Sequence, residues 1–170
     1  MKKMIAAGLA ALLTFAGGSL AVADRAEESG VAYFSRDDST MNAAMENARR
    51  TVPAVVKRLR ALQDAGVYVS VKVPVAAQGQ VEHIWLDNLS FSDGAFHGTL
   101  DNQPVSLAGW DEGDPISVPA KRISDWIVIL NDRLYGGYTI HIHRAAMSPK
   151  EQRQFDESFG ATIPDRPISL

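Results

Sequence analysis

The chain has 170 residues and contains no cysteine. This absence excludes disulfide bonds, thiolate metal sites, catalysis by a thiol and a lipid-modified cysteine at a processing site. A domain built from this chain must therefore be held together by its hydrophobic core alone.

Several common catalytic and nucleotide-binding signatures are also missing. There is no phosphate-binding P-loop, no dinucleotide fingerprint after a strand, no G-x-S-x-G elbow and no H-E-x-x-H motif. The acidic stretch DEGD at residues 111–114 lacks the spacing of a calcium-binding loop and is typical of a solvated turn. No pair of nucleophile and base is legible, which favours a non-enzymatic binding or protein-interaction module over an enzyme.

Long hydrophobic runs are scarce, and the one that is present lies at the N-terminus. Two lysines precede it, and the sequence AVA at residues 21–23 closes it with the small-x-small pattern of a processing site. This arrangement predicts a secretory signal peptide over residues 1–23, cleaved after Ala23, and hence a periplasmic or secreted protein. The apolar run of residues 4–23 is 20 residues long, so an uncleaved membrane anchor stays open as the alternative.

Positive charge is in short supply once the signal peptide is removed. Residues 24–170 carry 15 Lys and Arg against 20 Asp and Glu, for a net charge of −5. Such a chain argues against a nucleic-acid partner, whose phosphates require clustered basic residues. The basic cluster around Arg49 and Arg50 is interpreted as a solvated helix face. The expected partner is therefore an unknown periplasmic protein or small ligand, with no membrane contact after cleavage.

The periodicity of the chain changes from helical to alternating near Gly66. Residues 38–65 show helical spacing, with Asp38 or Ser39 as the cap and Gly66 as the stop. Pro53 predicts a kink or a restart, with Thr51 as a new cap, so we expect helices in the plural. The apolar stripes of these helices are Met41, Ala44, Met45, Ala48, Val52, Val55, Val56, Leu59 and Leu62.

Alternation dominates the middle of the chain and indicates strands. Residues 67–75 place five valines on one face and Tyr68, Ser70, Lys72 and Pro74 on the other, which predicts a strand with one buried face whose far end lies at an edge or a bulge. The stretches AAQGQ and SDG predict tight turns between successive strands. We also predict that RLYGG closes a hairpin into a last strand, YTIHIHR, at residues 138–144.

The C-terminal part carries a helix signature. Ser148, Pro149 and Glu151 form a predicted capping box, and Phe155 and Phe159 should dock the helix on the sheet. The fold class predicted is α+β, with N-terminal helices, a twisted antiparallel sheet that could curl toward a half-barrel, and one C-terminal helix. The domain boundaries predicted are a spacer with a short strand over residues 24–37, a single domain over 38–160 and a tail over 161–170.

Two histidines in the predicted last strand suggest a metal site. His141 and His143 would share a face there and could bind Zn²⁺ or Cu²⁺ with a third ligand from Glu82, His83 or His97. The alternative is a half-solvated strand that turns Thr139 and both histidines toward water. No other cofactor is expected.

A second candidate site centres on His83 in the stretch EHIWL. Trp85 shares its face of the strand, whereas Glu82 points to the opposite face. His83 or Asp125 could act as the general base of a small hydrolase, and Gly136 and Gly137 indicate a strained turn or a close backbone approach. The predicted ligand or partner surface comprises His83, Trp85, Asp125, Trp126, Tyr138 and Thr139, although a purely structural role for these residues stays open.

The motifs EHIWL, FHGTLDNQP, EGDPISVPAKRISDW and GGYTIHIHR stand in the order found in the YegJ-like family of bacterial domains, which this chain resembles over about residues 38–159. The resemblance implies a small bacterial α+β domain, often exported, and no known function. In the family pattern an arginine usually stands where this chain has His141, which argues against that residue as an obligatory metal ligand. The matching positions, where a shared site is expected, are His83, Trp85, Gly98, Asn102, Pro104, Gly113, Asp114, Asp125, Trp126, Gly136, Gly137, Tyr138 and Thr139.

Overall fold

The computed structural model describes residues 13–15 and 38–170 of the chain. The predicted short strand at residues 31–34 and most of the predicted signal peptide lie outside these residues. The strand β1, Leu13–Phe15, falls inside the segment predicted to be the signal peptide.

One antiparallel sheet, with helices packed on it, forms the described part of the chain, which confirms the α+β prediction. The strand order is β5-β4-β3-β2-β6-β7, and β1 pairs with β3 outside this path. Among residues 13–15 and 38–170, no helix has the length and apolar character needed to cross a membrane. The elements after β1 are α1 Ser39–Asp64, β2 Tyr68–Ala77, β3 Gln80–Ser92, β4 Ala95–Leu100, β5 Pro115–Pro119, a 3₁₀ turn Ala120–Arg122, β6 Asp125–Leu130, β7 Arg133–Gly136, α2 Tyr138–Ala146 and α3 Pro149–Phe159.

The helix α1 is a single element, so the predicted break at Pro53 and the new cap at Thr51 are wrong. Pro53 lies on the exposed side of the helix, and the buried stripe continues on both sides of it. Packing of that stripe on the sheet outweighs the roughly 3 kcal/mol that a proline costs inside a helix. Asp38 caps the helix as expected, since its side chain accepts a hydrogen bond from the N–H of Met41 at 2.8 Å.

The predicted tight turns are confirmed. Gln78 and Gly79 connect β2 to β3, and Asp93 and Gly94 connect β3 to β4, all four with positive φ. Two adjacent residues of positive φ give the turn whose twist matches a right-handed hairpin.

The strand β2 is buried on both faces, which corrects the prediction of a single buried face. Val69, Val71, Val73 and Val75 pack in the core under α1, as expected. On the opposite face, Ser70 and Lys72 are also buried. This happens because β2 is central in the sheet and a second layer of helices covers that face. Pro74 lies beyond the last residue paired with β6, which agrees with its predicted place at an edge.

Residues 138–146 form the helix α2, so the predicted strand YTIHIHR is wrong. The hairpin between β6 and β7 turns earlier, at Asn131 and Asp132, and β7 ends at Gly136. Gly137, with φ of 64°, is the N-cap of α2. The sequence alternates polar and apolar side chains, but the N–H groups of Tyr138 and Thr139 donate to the carboxylate of Asp125 rather than to a neighbouring strand.

The C-terminal helix and tail cover one end of the sheet. The capping box of α3 is present as predicted, with Ser148 and Glu151 bonded reciprocally, and Phe159 is buried beside Trp85 and Ile127. There are therefore two C-terminal helices, α2 and α3, where one was predicted. The tail lies along β7: the N–H of Leu134 donates to the carbonyl of Thr162 at 3.0 Å.

Candidate functional site

A cluster of polar side chains is buried between the sheet and the helices α2 and α3. Its members are between 0% and 8% exposed. Buried polar groups are costly unless they are paired, so such a cluster must be held by specific contacts. Its members are Lys72 on β2, His83 on β3, Asp125 on β6, and Thr139 and His143 on α2.

Asp125 anchors the first turn of α2. One carboxylate oxygen accepts hydrogen bonds from the N–H of Trp126 at 2.8 Å and of Tyr138 at 3.0 Å. The other accepts from the N–H and the hydroxyl of Thr139, at 2.7 and 2.6 Å. Since Gly137 has no side chain to cap the helix, Asp125 supplies the cap from a distant strand. Burial raises the pKa of Asp125, and the hydroxyl and N–H of Thr139, the charge of Lys72 and the N–H of Trp126 oppose that shift.

Lys72 is opposite Asp125 on one neighbouring strand and opposite Trp85 on the other. Its ammonium nitrogen lies 5.1 Å from the centre of the Trp85 ring, which is the geometry of a cation–π contact. Burial lowers the pKa of Lys72 to about 8, and the negative charge of Asp125 partly offsets that effect. The cluster thus contains a buried cation between a carboxylate and an aromatic face.

The histidines of the cluster are neutral at physiological pH. Burial, with the charges of Lys72 and Arg49, lowers the pKa of His83 to about 3. Burial and the charge of Lys72 also lower the pKa of His143. A neutral imidazole offers one donor and one acceptor, so these side chains can form hydrogen bonds without adding charge.

An open cleft of about 390 Å³ borders this cluster on the side of His83. Arg49 reaches it from α1, where its guanidinium donates to the carbonyl of Ile123 at 3.2 Å and pairs with Glu46 at 3.1 Å. Arg122 is exposed at its rim. The cleft therefore combines two guanidinium groups and an imidazole with apolar walls. Its lining residues are Asn42, Met45, Arg49, Pro74, Val81, His83, Arg122 and Ser124.

The six residues of the predicted ligand surface are all buried, and they do not share one face. Trp126 lies on the α1 side of the sheet, where its indole N–H donates to the hydroxyl of Thr51 at 2.9 Å. Tyr138 packs edge-on against Trp126 at 6.0 Å. Asp125 and Thr139 belong to the polar cluster on the other side, and Trp85 packs there with Ile127; none of the three lines the cleft. His83 is the member of the six that lines it.

The two histidines of the HIH stretch are separated by the helix. Residues two apart in an α-helix point about 200° from one another, so His141 and His143 diverge rather than share a face. His143 turns inward and packs edge-on against Phe155 at 6.1 Å. Within residues 38–170, no group of three or more His, Asp or Glu side chains is arranged to hold a metal ion. The strand geometry on which the zinc or copper hypothesis relied is therefore wrong.

Gly136, the first residue of the glycine pair, lets the backbone approach Trp126 closely and does not form a phosphate-binding loop. A Cβ atom on Gly136 would overlap the carbonyl oxygen and the ring of Trp126, and φ at this residue is 74°. Only glycine fits such a position without displacing its neighbours. The structure thus confirms the close backbone approach predicted there.

Sequence reasoning missed Lys72, Arg49 and Arg122 as parts of a site. A signal for Lys72 existed, since a lysine enclosed by valines in VSVKVPV is unusual for a solvated face. The two arginines had no such signal, because they are 73 residues apart and only the packing of α1 beside the start of β6 brings them to one cleft.

Comparison with known proteins gives the family but no activity. A family model described as an uncharacterized protein conserved in bacteria, DUF2314, matches residues 38–163. A putative ankyrin repeat protein of Neisseria meningitidis serogroup B is 32% identical over 146 residues, which cover 81% of this chain and 58% of that protein. The chain thus spans less than two thirds of this relative. No solved structure matches the chain.

A second relative has a length closer to that of this chain. The uncharacterized protein YegJ of Escherichia coli K12 is 32% identical over 104 residues, which cover 61% of this chain and 67% of that protein. The family match includes the polar cluster and every residue that lines the cleft. This chain belongs to the DUF2314 family of conserved bacterial proteins.

Proposed function

We propose that the protein is an exported binding module whose cleft beside His83 holds a ligand that carries a carboxylate or another anionic group. The observation that carries this proposal is the convergence of Arg49, Arg122 and His83 on one cleft. The chain as a whole has a net negative charge, whereas the cleft carries positive charge. This local positive charge favours the binding of anions.

The two arginines contribute differently to such a site. Arg49 is fixed by the carbonyl of Ile123 and is partly neutralised by Glu46, so it serves as an oriented donor. Arg122 makes no ion pair or hydrogen bond through its side chain with any residue of the described range 38–170. Its charge is available to a ligand, and a guanidinium pairs well with a carboxylate because its donors match both oxygens.

The buried cluster supports the site from beneath rather than taking part in a reaction. Asp125 is fully buried and both of its oxygens accept hydrogen bonds, so it is not placed to remove a proton from a ligand in the cleft. His83 is neutral and can donate or accept one hydrogen bond at the cleft wall. This division of roles favours binding over hydrolysis.

Export is proposed on the N-terminal pattern and is tested together with binding. The full chain is expressed in a bacterial host and recovered from the periplasmic fraction, where a mass corresponding to residues 24–170 is expected. Thermal unfolding is then followed with glutarate and with an acetylated tri-glutamate peptide as probes, since a ligand that binds the native state raises the melting temperature.

Arg122→Gln tests the cleft, and Arg153→Gln, an exposed arginine of α3, is the matched control. We expect Arg122→Gln to weaken binding on the order of fivefold, with Arg153→Gln close to the parent protein. Equal effects of the two variants, or no shift with either probe at millimolar concentration, would contradict an anion-binding cleft.

A further inference from the structure

The strand β3 is longer than its neighbour on one side. Its second half pairs with β4 from Leu86 onward. Its first half, which includes Val81 and His83, pairs with β2 on one side and with β1 on the other. That second partner, Leu13–Phe15, lies within the segment predicted to be removed on export. Removal of residues 1–23 would take Leu13–Phe15 away from this part of β3, which is called the open edge below.

Pro74 shows in which direction the backbone N–H and C=O groups of this edge point. His83 is opposite Pro74 in the register of β2 and β3, and Pro74 has no N–H to give. Antiparallel pairs alternate, so the backbone groups of His83 and Val81 point away from β2, toward the edge. Trp85 has the same parity, and its carbonyl indeed accepts from the N–H of Asp101 on that side at 2.9 Å.

We propose that this edge is a strand-addition site, at which an extended acidic segment of a partner protein pairs antiparallel with Val81 and His83 once residues 1–23 are removed. The inference rests on the proposed function and specifies its ligand. Strand Leu13–Phe15 shows that the edge accepts an added strand and in which register: residue 13 is opposite His83 and residue 15 opposite Val81. Addition of a strand at a sheet edge is a common mode of peptide recognition.

The charge of the partner follows from the face on which the cleft lies. Directly opposite residues of a strand pair project to the same face of the sheet. A partner residue opposite His83 or Val81 therefore projects toward the cleft that both residues line, where Arg49 and Arg122 stand. A partner residue opposite Glu82 projects to the other face, where the buried Glu82 carboxylate accepts from the N–H of Ser106 at 3.0 Å. An acidic side chain is favoured at the first position and disfavoured at the second.

The chain supplies its own probe. A fluorescein-labelled peptide with the sequence of residues 11–17, lengthened by a soluble lysine tag, is titrated into the protein recovered from the periplasm. Two acidic forms carry Leu13→Glu or Thr14→Glu, which direct the carboxylate to the cleft face or to the opposite face. Two further forms carry a backbone N-methyl group. On residue 13 it removes the N–H that is directed at His83, and on residue 14 it removes an N–H that is directed away from the edge.

We expect the affinity to depend both on the position of the glutamate and on the position of the N-methyl group. The Leu13→Glu peptide binds on the order of fivefold tighter than the Thr14→Glu peptide, and Arg122→Gln in the protein abolishes this difference. N-methylation at residue 13 weakens binding at least about tenfold, whereas N-methylation at residue 14 leaves it within about twofold. Hydrogen exchange of the Val81 and His83 amides should slow when the peptide binds.

Other outcomes separate the two proposals. If Arg122→Gln weakens glutarate binding but the peptides bind without regard to N-methylation, strand addition is overturned and the anionic cleft stands. If N-methylation matters but the position of the glutamate does not, the edge is a strand-addition site and the cleft chemistry fails. Protection of the two amides before any peptide is added overturns a free edge. Three further measurements identify the group that protects the amides. A mass spectrum that still contains residues 1–23 points to the retained N-terminal segment, and loss of protection when residues 31–34 are truncated points to that segment. Loss of protection on dilution points to a second copy of the chain.

Discussion

The two faces of the sheet solve the same packing problem with different chemistry. Under α1 the contacts are made by valine, isoleucine, leucine and Trp126, and the indole N–H of Trp126 is paired with Thr51. Under α2 and α3 the same strands present Lys72 and Asp125 beside Trp85 and Ile127. The first face stabilises by burial, which depends little on pH. The second attaches a helix through hydrogen bonds and charge, so its stability must depend on protonation.

This difference also explains where the cleft lies. The face under α1 is apolar apart from Glu82, whose carboxylate already accepts hydrogen bonds from the N–H groups of Val105 and Ser106. The polar face extends as far as His83, which lines the wall of the cleft. The face that is more costly to fold is thus the one that can offer recognition chemistry.

The largest effect is expected from Asp125→Ala. The substitution leaves the buried N–H groups of Tyr138 and Thr139 without an acceptor and removes the negative charge that partly offsets the burial of Lys72. Unpaired buried donors cost about 1–3 kcal/mol each, and the loss of the negative charge that offsets the burial of Lys72 adds to this cost. We expect the free energy of unfolding, measured by urea titration at pH 7, to fall by more than about 4 kcal/mol.

Thr139→Ala keeps this test informative if Asp125→Ala does not fold. It removes one of the four hydrogen bonds to the carboxylate, the 2.6 Å contact from the hydroxyl, and should cost about 1–2 kcal/mol. A loss below about 0.5 kcal/mol in both variants would mean that the Asp125 cap does not hold α2 on the sheet.

The acid side of the stability curve should depend on His83. Its pKa is about 3 in the folded protein against 6.5 in the unfolded chain, so the unfolded state binds the proton more readily between these values. Stability is therefore complete above pH 6.5 and is lost as the pH falls toward 3, by about 3–4 kcal/mol from this residue. His83→Gln should flatten this part of the urea-derived profile. His97→Gln, a partly exposed histidine of β4, is the control and should retain the parent slope.

Local chemistry was sufficient to predict several parts of this fold. The Gln78–Gly79 and Asp93–Gly94 turns, the cap at Asp38 and the capping box at Ser148 each depend on residues within four positions of one another. The alternating valines of β2 correctly predicted which face of the strand lies in the apolar core. The stretch EHIWL made His83 a candidate site residue, and the structure places His83 at the wall of the cleft.

The failures share a cause in distant contacts. The alternation in YTIHIHR favours a strand, yet Asp125, 13 residues before Tyr138, captures the N–H groups that start a helix. The second buried face of β2 depends on α2 and α3, which lie more than 60 residues away along the chain. Pro53 is tolerated because the sheet supports α1 on both sides of it. None of these partners is visible in a local window of sequence.

The alkaline side of the stability curve should depend on Lys72. Its pKa is about 8 when folded and 10.5 when unfolded, so its burial costs stability in full below pH 8, and this cost diminishes as the pH rises from 8 toward 10.5. Between pH 7 and 9.5 the parent protein should gain about 2 kcal/mol relative to Lys72→Met. Lys57→Met, an exposed lysine of α1, should follow the parent protein. Parallel curves for Lys72→Met and the parent would show that Lys72 is not charged in the folded state at pH 7.

The smallest pH dependence is expected for a substitution on the apolar face. Val71→Ala removes two carbons from a fully buried site opposite Trp126 and Leu86, and transfer plus cavity terms predict a loss of about 2 kcal/mol. Because no titratable group touches this change, its cost should be the same at pH 4, 7 and 9. A cost that varied by more than about 1 kcal/mol across this range would show that the two faces are coupled through β2. The sheet would then transmit protonation at Lys72 to α1, and the separation of an inert face from a titrating face would fail.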